Sequence, residues 1–143
     1  MGADQYAKSY NSSVGSPFWG DKGGWLTTET TFNADRFAAP TLFTYHGNGS
    51  PPWAPKGGQD SRDPYSVIGA LNANRKPFEY LVFAEGAHAL QRPRERQGLM
   101  QSAVDWLNFW LKGVSPSDPV LAARWKSLRH LQDESLAAAK TKL

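Results

Sequence analysis

One histidine of this chain lies where the general base of an enzyme would be expected. His88 comes shortly after the apolar run 78–83, and Gly86, between the two, permits a sharp backbone turn. Imidazole is the usual general base near neutral pH, because it both accepts and releases a proton there. The alternative is a histidine on a surface loop with no catalytic role, and position alone does not separate the two.

Composition excludes several other chemistries. The 143 residues include no cysteine, which rules out disulfide scaffolds, cysteine nucleophiles and thiolate metal sites. The three histidines are far apart, with no acidic residues at the spacing of metal ligands, so we expect neither a metal nor a cofactor. The chain also has no Gly-x-Ser-x-Gly, the sharp turn that presents a serine nucleophile in one large class of hydrolases.

Charge and hydropathy narrow the range of partners. The net charge of +3 is spread along the chain, without the basic runs that nucleic-acid binding requires. The longest apolar runs are a few residues, so we expect no membrane span, and no signal peptide opens the sequence. The compartment is left open.

Turn residues and periodicity divide the chain into three parts. Residues 1–31 are predicted to be an irregular lead-in, residues 32–113 a βαβα unit, and residues 114–143 a C-terminal helix. Within the unit, the strands are expected at 41–45 and 78–83. This order predicts an α/β fold with parallel strands joined by a right-handed crossover.

The two strand ends are where chemistry is expected. In open α/β sheets, ligands bind at the carboxyl ends of the strands, which here lead into the loops 46–63 and 84–92. Parallel strands are buried on both faces, and two of them do not make a stable sheet. We therefore expect an upstream segment or a second chain to complete the sheet.

Three runs resemble the C-terminal part of the catalytic domain of the prolyl oligopeptidase family. Residues 39–47 are similar to its penultimate strand and His-Gly pair, and residues 76–88 to its last strand and Glu-Gly-x-His loop. Residues 92–113 resemble its closing helix, and residues 123–125 resemble the subgroup that contains lasso-peptide isopeptidases. The order and spacing of the runs, more than any one of them, carry the resemblance.

The resemblance implies the C-terminal βαβα part of an α/β-hydrolase sheet with an extra C-terminal helix. It also implies a serine-type peptidase with a Ser-Asp-His triad, a peptide substrate and His88 as the base. The triad order in this fold would place the nucleophile upstream of residue 1, so we expect the chain alone to be inactive. The alternatives are a non-catalytic fragment or interaction module completed by a partner chain, and an α/β-hydrolase esterase.

The triad acid departs from the family pattern. The family's acid usually follows the His-Gly pair by about three residues, where this chain has Ser50, which cannot be anionic. Asp60 and Asp63, later in the same loop, are the candidates to orient His88; Asp63 also fits a helix cap, and Asp60 a solvated loop carboxylate. Trp53, in the same loop, is a candidate to contact substrate, with local packing as the alternative.

Overall fold

The structure is a computed structural model, and it describes residues 15, 17, 19–47, 64–87 and 89–141, with only the backbone at 64 and 139–141. Within these ranges there are two strands and four α-helices, and a short 3-10 turn precedes the first strand. In chain order the elements are α1 (Lys22–Thr28), the 3-10 turn (Ala34–Arg36), β1 (Thr41–His46), α2 (Pro64–Ala73), β2 (Phe78–Phe83), α3 (Pro93–Lys112) and α4 (Pro119–Thr141).

The sheet has the parallel pairing that the sequence predicted. β1 and β2 pair in register from Thr41 opposite Phe78 to His46 opposite Phe83. Both strands therefore end at the same edge of the sheet. Because side chains alternate across a strand, Leu42 and Glu79 point to the same face as His46 and Phe83.

Helix α2 connects the two strands and ends where a left-handed residue turns the chain. Leu71 anchors the helix in the interior with 1% of its surface exposed. Arg75 has a φ of 52°, and the backbone N–H of Lys76 donates to the Leu71 carbonyl at 2.9 Å. This bond satisfies a carbonyl that the end of the helix would otherwise leave without a partner.

The core is an aromatic cluster between the two long helices and the sheet. Trp106 and Phe109 of α3 pack against Trp125 of α4, and Leu42 of β1 lies against the same cluster. The ring centroids of Trp106 and Trp125 are 5.2 Å apart in an edge-to-face arrangement, which the quadrupoles of aromatic rings favour. The tryptophan-rich stretch of α3 thus contributes to the core.

Capping residues end α3 and start α4, so the two helices are distinct. Pro93 occupies the first turn of α3, and Gly113 closes that helix with a left-handed φ of 70°. The Asp118 side chain then accepts hydrogen bonds from the backbone N–H groups of Val120 at 2.8 Å and Leu121 at 3.1 Å. These bonds start α4 by satisfying two of its first donors.

The segment expected to be an irregular lead-in contains a helix. Over residues 22–28 the chain forms α1, which Asp21 caps by accepting from the Gly24 N–H at 2.8 Å. Two glycines in its first turn and two threonines in its last lower the helix propensity and obscured the element in the sequence. Among the residues that the structure describes, no helix has the length and apolar character needed to cross a membrane.

Candidate active site

The carboxyl ends of β1 and β2 are tied together at one carbonyl group. The Phe83 carbonyl accepts a hydrogen bond from the Gly47 N–H, just after β1, and another from the Gly86 N–H, just after β2, each at 2.9 Å. A carbonyl oxygen has two lone pairs, so both bonds can form at once. The two loops in which the sequence predicted chemistry thus start from one fixed point.

The Phe83 side chain reinforces this junction. Its ring lies 5.8 Å from the His46 ring, centroid to centroid, with the planes nearly perpendicular. Gly98 of α3 lies against the same ring, since a Cβ placed there would be 3.7 Å from Phe83 Cε1. The end of β2 is therefore held by β1 on one side and by α3 on another.

The loop after β2 is tight and leaves no room for a side chain at its glycine. Gly86 is buried, and a Cβ at this position would lie 2.6 Å from Leu90 Cδ2 and 3.0 Å from the Phe83 carbonyl oxygen. Leu90 is itself buried, which fixes the other end of the loop. Gly86 and Leu90 are therefore both held by close packing.

The first turn of α3 follows the loop at once. The Arg96 N–H donates to the Arg92 carbonyl at 3.1 Å, and the Arg92 guanidinium lies 3.4 Å from the Glu95 carboxylate. Arg92 is mostly exposed, so this ion pair contributes little to stability.

The residues predicted for catalysis and substrate contact lie outside the described residues. This applies to His88 in the loop after β2, and to Asp60, Asp63 and Trp53 in the loop after β1. What the structure shows is the scaffold: the two loops leave neighbouring strand ends that share the Phe83 carbonyl. Their side-chain roles stay predictions.

A charged side chain, that of Glu79, is buried near the start of β2, at the other end of the strand from Phe83. No sequence pattern indicated a role for it. Glu79 is 5% exposed; its carboxylate accepts from Trp125 Nε1 at 2.7 Å and lies 2.8 Å from the Arg124 guanidinium. Glu79 and Phe83 are four steps apart along the strand, or roughly 13 Å. We therefore assign Glu79 to the attachment of α4 to the sheet.

The described residues offer no ligand set for a metal. Within ranges 19–47, 64–87 and 89–138, no group of three or more histidine, cysteine or acidic side chains is close enough to hold an ion. Glu134, for example, pairs instead with Arg75 at 2.7 Å and lies 3.5 Å from His130.

Comparison with known proteins supports the resemblance. No protein-family model matches the chain. The chain is 29% identical over 118 residues to the lasso peptide isopeptidase AtxE2 of Asticcacaulis excentricus, which is 78% of this chain and 15% of AtxE2. It also matches two solved structures of AtxE2 isopeptidase.

Both structural matches have a TM-score of 0.62. The apo structure is 28% identical and is matched over 78% of this chain and 16% of AtxE2. The other structure is a variant with a serine replaced by alanine and with astexin3-dC4 bound; it is 27% identical, over 76% of this chain and 16% of that one.

These matches show that the chain is homologous to AtxE2, and that its two parallel strands and four helices form part of an α/β-hydrolase-type fold. They confirm the predicted fold class. The chain spans about a sixth of the length of the relative it matches. The chain is therefore homologous to part of an isopeptidase.

Proposed function

We propose that this chain is the histidine-bearing portion of a serine-type peptidase of the prolyl oligopeptidase family, with His88 as the general base of a Ser-Asp-His triad. The homology to AtxE2 in both sequence and fold carries this proposal. The scaffold supports it, because position 88 lies between Gly86 and Leu90 at the carboxyl end of a parallel strand.

In the proposed mechanism, the serine belongs to a portion of the domain that this sequence does not contain. The serine hydroxyl attacks the carbonyl carbon of a peptide bond while His88 takes its proton. His88 then delivers that proton to the leaving amine, and an acyl-enzyme remains for water to hydrolyse. Asp60 or Asp63 orients the imidazole and stabilises its charged form.

A peptide is the substrate class that we propose for the complete enzyme. AtxE2 is a lasso peptide isopeptidase, and one of its structures holds astexin3-dC4. The match to that structure covers 76% of this chain, so most of the chain has a counterpart in a peptide-bound protein. Trp53, in the loop after β1, is the residue that we propose for contact with the peptide.

Labelling with a fluorophosphonate probe, which reacts with activated serines, tests the proposal. The purified chain alone should not label, because it has no Gly-x-Ser-x-Gly. The chain is then co-expressed with a truncated AtxE2 that lacks the region matched by this chain. The positive control supplies the missing AtxE2 region itself as a separate chain.

Labelling of the truncated AtxE2 should appear when this chain is supplied, and His88→Ala should slow it by about 10⁴-fold or more. His130→Ala is the matched control, because His130 is a largely exposed side chain on α4 and should leave the rate unchanged. Asp60→Asn and Asp63→Asn identify the acid, since the variant that lacks it should label far more slowly.

Two results would refute the catalytic proposal. One is labelling of the chain alone, since a serine within these 143 residues would then be the nucleophile. The other is the absence of labelling with this chain while the AtxE2 control labels. The second result favours the non-catalytic interaction module, which the absence of the serine motif also favours.

A further inference from the structure

Helix α3 has a second apolar face in addition to the one in the core. Four residues at spacings of four, three and four form an exposed stripe: Met100, Val104, Leu107 and Leu111, with 68%, 51%, 53% and 77% of their surfaces exposed. On the core side of the same helix, Trp106 and Phe109 are each 5% exposed. Contiguous apolar surface of this kind marks an interaction site.

The stripe begins in a shallow groove at the start of α3, the helix that follows the loop after β2. The groove has a volume of about 500 Å³ and opens to the surface along the first three turns of α3. Its walls combine apolar and uncharged polar side chains with one arginine: Pro93, Arg96, Gln97, Met100, Gln101 and Val104. A groove of this size accommodates several side chains of an occupant.

The part of the AtxE2 fold that has no counterpart in this chain indicates what would cover the stripe. The matched region is 16% of AtxE2, so most of the corresponding fold lies outside this sequence. β1 and β2 each have a neighbour on one side only in the described sheet. A two-stranded parallel sheet beside an uncovered apolar helix face is what remains when a larger α/β domain is divided.

A second copy of the chain is a poorer occupant. Two copies packed antiparallel along the stripe would bring Arg96, near the start of each helix, towards Lys112 at the end of the other. Each copy also carries a net charge of +3, so the long-range electrostatic interaction is repulsive. Such a pair would still leave the sheet with too few strands.

We propose that the exposed stripe is the surface on which the serine-bearing part of a hydrolase domain docks, through an apolar face of its own. This inference rests on the proposed function, because the occupant is the part of the domain that carries the nucleophile. Burial of the stripe and addition of strands to the sheet then occur in one association.

Binding of the full chain to the truncated AtxE2 probe tests this surface. The chain is immobilised and the probe titrated by biolayer interferometry. Leu107→Gln and Met100→Gln should each weaken binding by about 10-fold or more, since each replaces a large apolar side chain at the contact. Val120→Gln, at a 76% exposed valine on α4 rather than α3, should change affinity less than about twofold.

The outcomes distinguish the surface from the catalytic proposal. Equal binding by the stripe variants, or no binding by the wild-type chain, would overturn the docking surface. Analytical ultracentrifugation of the chain alone gives a further test. If the chain forms a dimer that Leu107→Gln disrupts, the stripe binds a second copy, and the proposed docking surface is refuted. His88→Ala should bind normally and fail to activate labelling, so full labelling with that variant refutes the triad while leaving the surface intact.

Discussion

The loop after β2 offers a sharp test of the structure, because one added methyl group should disturb it. In Gly86→Ala, the new Cβ would lie 2.6 Å from Leu90 Cδ2, and 3.0 Å from both the Cβ and the carbonyl oxygen of Phe83. Leu90 can move aside, but the backbone carbonyl is held by the N–H groups of Gly47 and Gly86. The loop, or the end of the strand, has to shift.

Overpacking of this kind costs about 1–3 kcal/mol. For a chain of this length, about 4 °C of Tm corresponds to 1 kcal/mol, so Gly86→Ala should lower the Tm by about 4–12 °C. Thermal unfolding followed by far-UV circular dichroism measures this change. Labelling of the completed enzyme should fall as well, since position 88 is two residues away.

Gly69→Ala is the matched control. Gly69 lies inside α2 with no heavy atom within 4 Å of the added Cβ. The same substitution should there stabilise the chain by about 0.5–1 kcal/mol, because alanine is the better helix former. Gly86→Ala should therefore lower the free energy of unfolding, and Gly69→Ala should raise it.

A double variant separates the two clashes at Gly86. Leu90→Ala by itself should cost about 2–5 kcal/mol as a core truncation. In that background, Gly86→Ala should cost less than in the wild-type chain, and the remainder reports the Phe83 contact. A Gly86→Ala variant as stable as the wild-type chain would refute the packing argument, and strict additivity with Leu90→Ala would exclude their contact.

Three further substitutions test how α3 and α4 are capped and how α4 is attached to the sheet; urea denaturation measures the stability of each variant. Trp125→Phe removes the donor to the buried Glu79 carboxylate and should cost about 1.5–3 kcal/mol, before any cost of the smaller ring; no loss would mean that the hydrogen bond is not made. Asp118→Ala removes the cap of α4 and should cost about 1 kcal/mol, with a measurable fall in helicity. Gly113→Ala places a Cβ at a φ of 70° and should also cost about 1 kcal/mol; a neutral effect would contradict the left-handed cap.

Most of the fold could be predicted from local sequence signals. The run 78–83 is rich in apolar and aromatic residues and became β2 with those bounds. Pro93 and Gly113 mark the start and the end of α3, because proline fits a first helical turn and glycine a left-handed cap. These signals act within one element, so a single sequence is enough to interpret them.

Contacts between residues far apart in the chain could not be predicted from the sequence in the same way. Glu79 interrupts an apolar strand, but only the packing of α4 shows that Trp125 and Arg124, more than forty residues away, satisfy its carboxylate. Helix α1 was missed because its capping by Asp21 outweighs the weak helix propensity of its glycines and threonines. Between Asp60 and Asp63, the two residues predicted as candidates for a triad acid, no local sequence pattern decides.

The sequence by itself determined the order of the elements from β1 to α4, the parallel pairing and the position of His88 after the second strand, since hydrophobic period and turn residues are local properties. The tertiary structure alone decided which polar and apolar groups meet across the fold. It places Gly47 and Gly86 on one Phe83 carbonyl and leaves the exposed stripe of α3 uncovered. Such contacts depend on the packing of elements far apart in the chain, which no local pattern records.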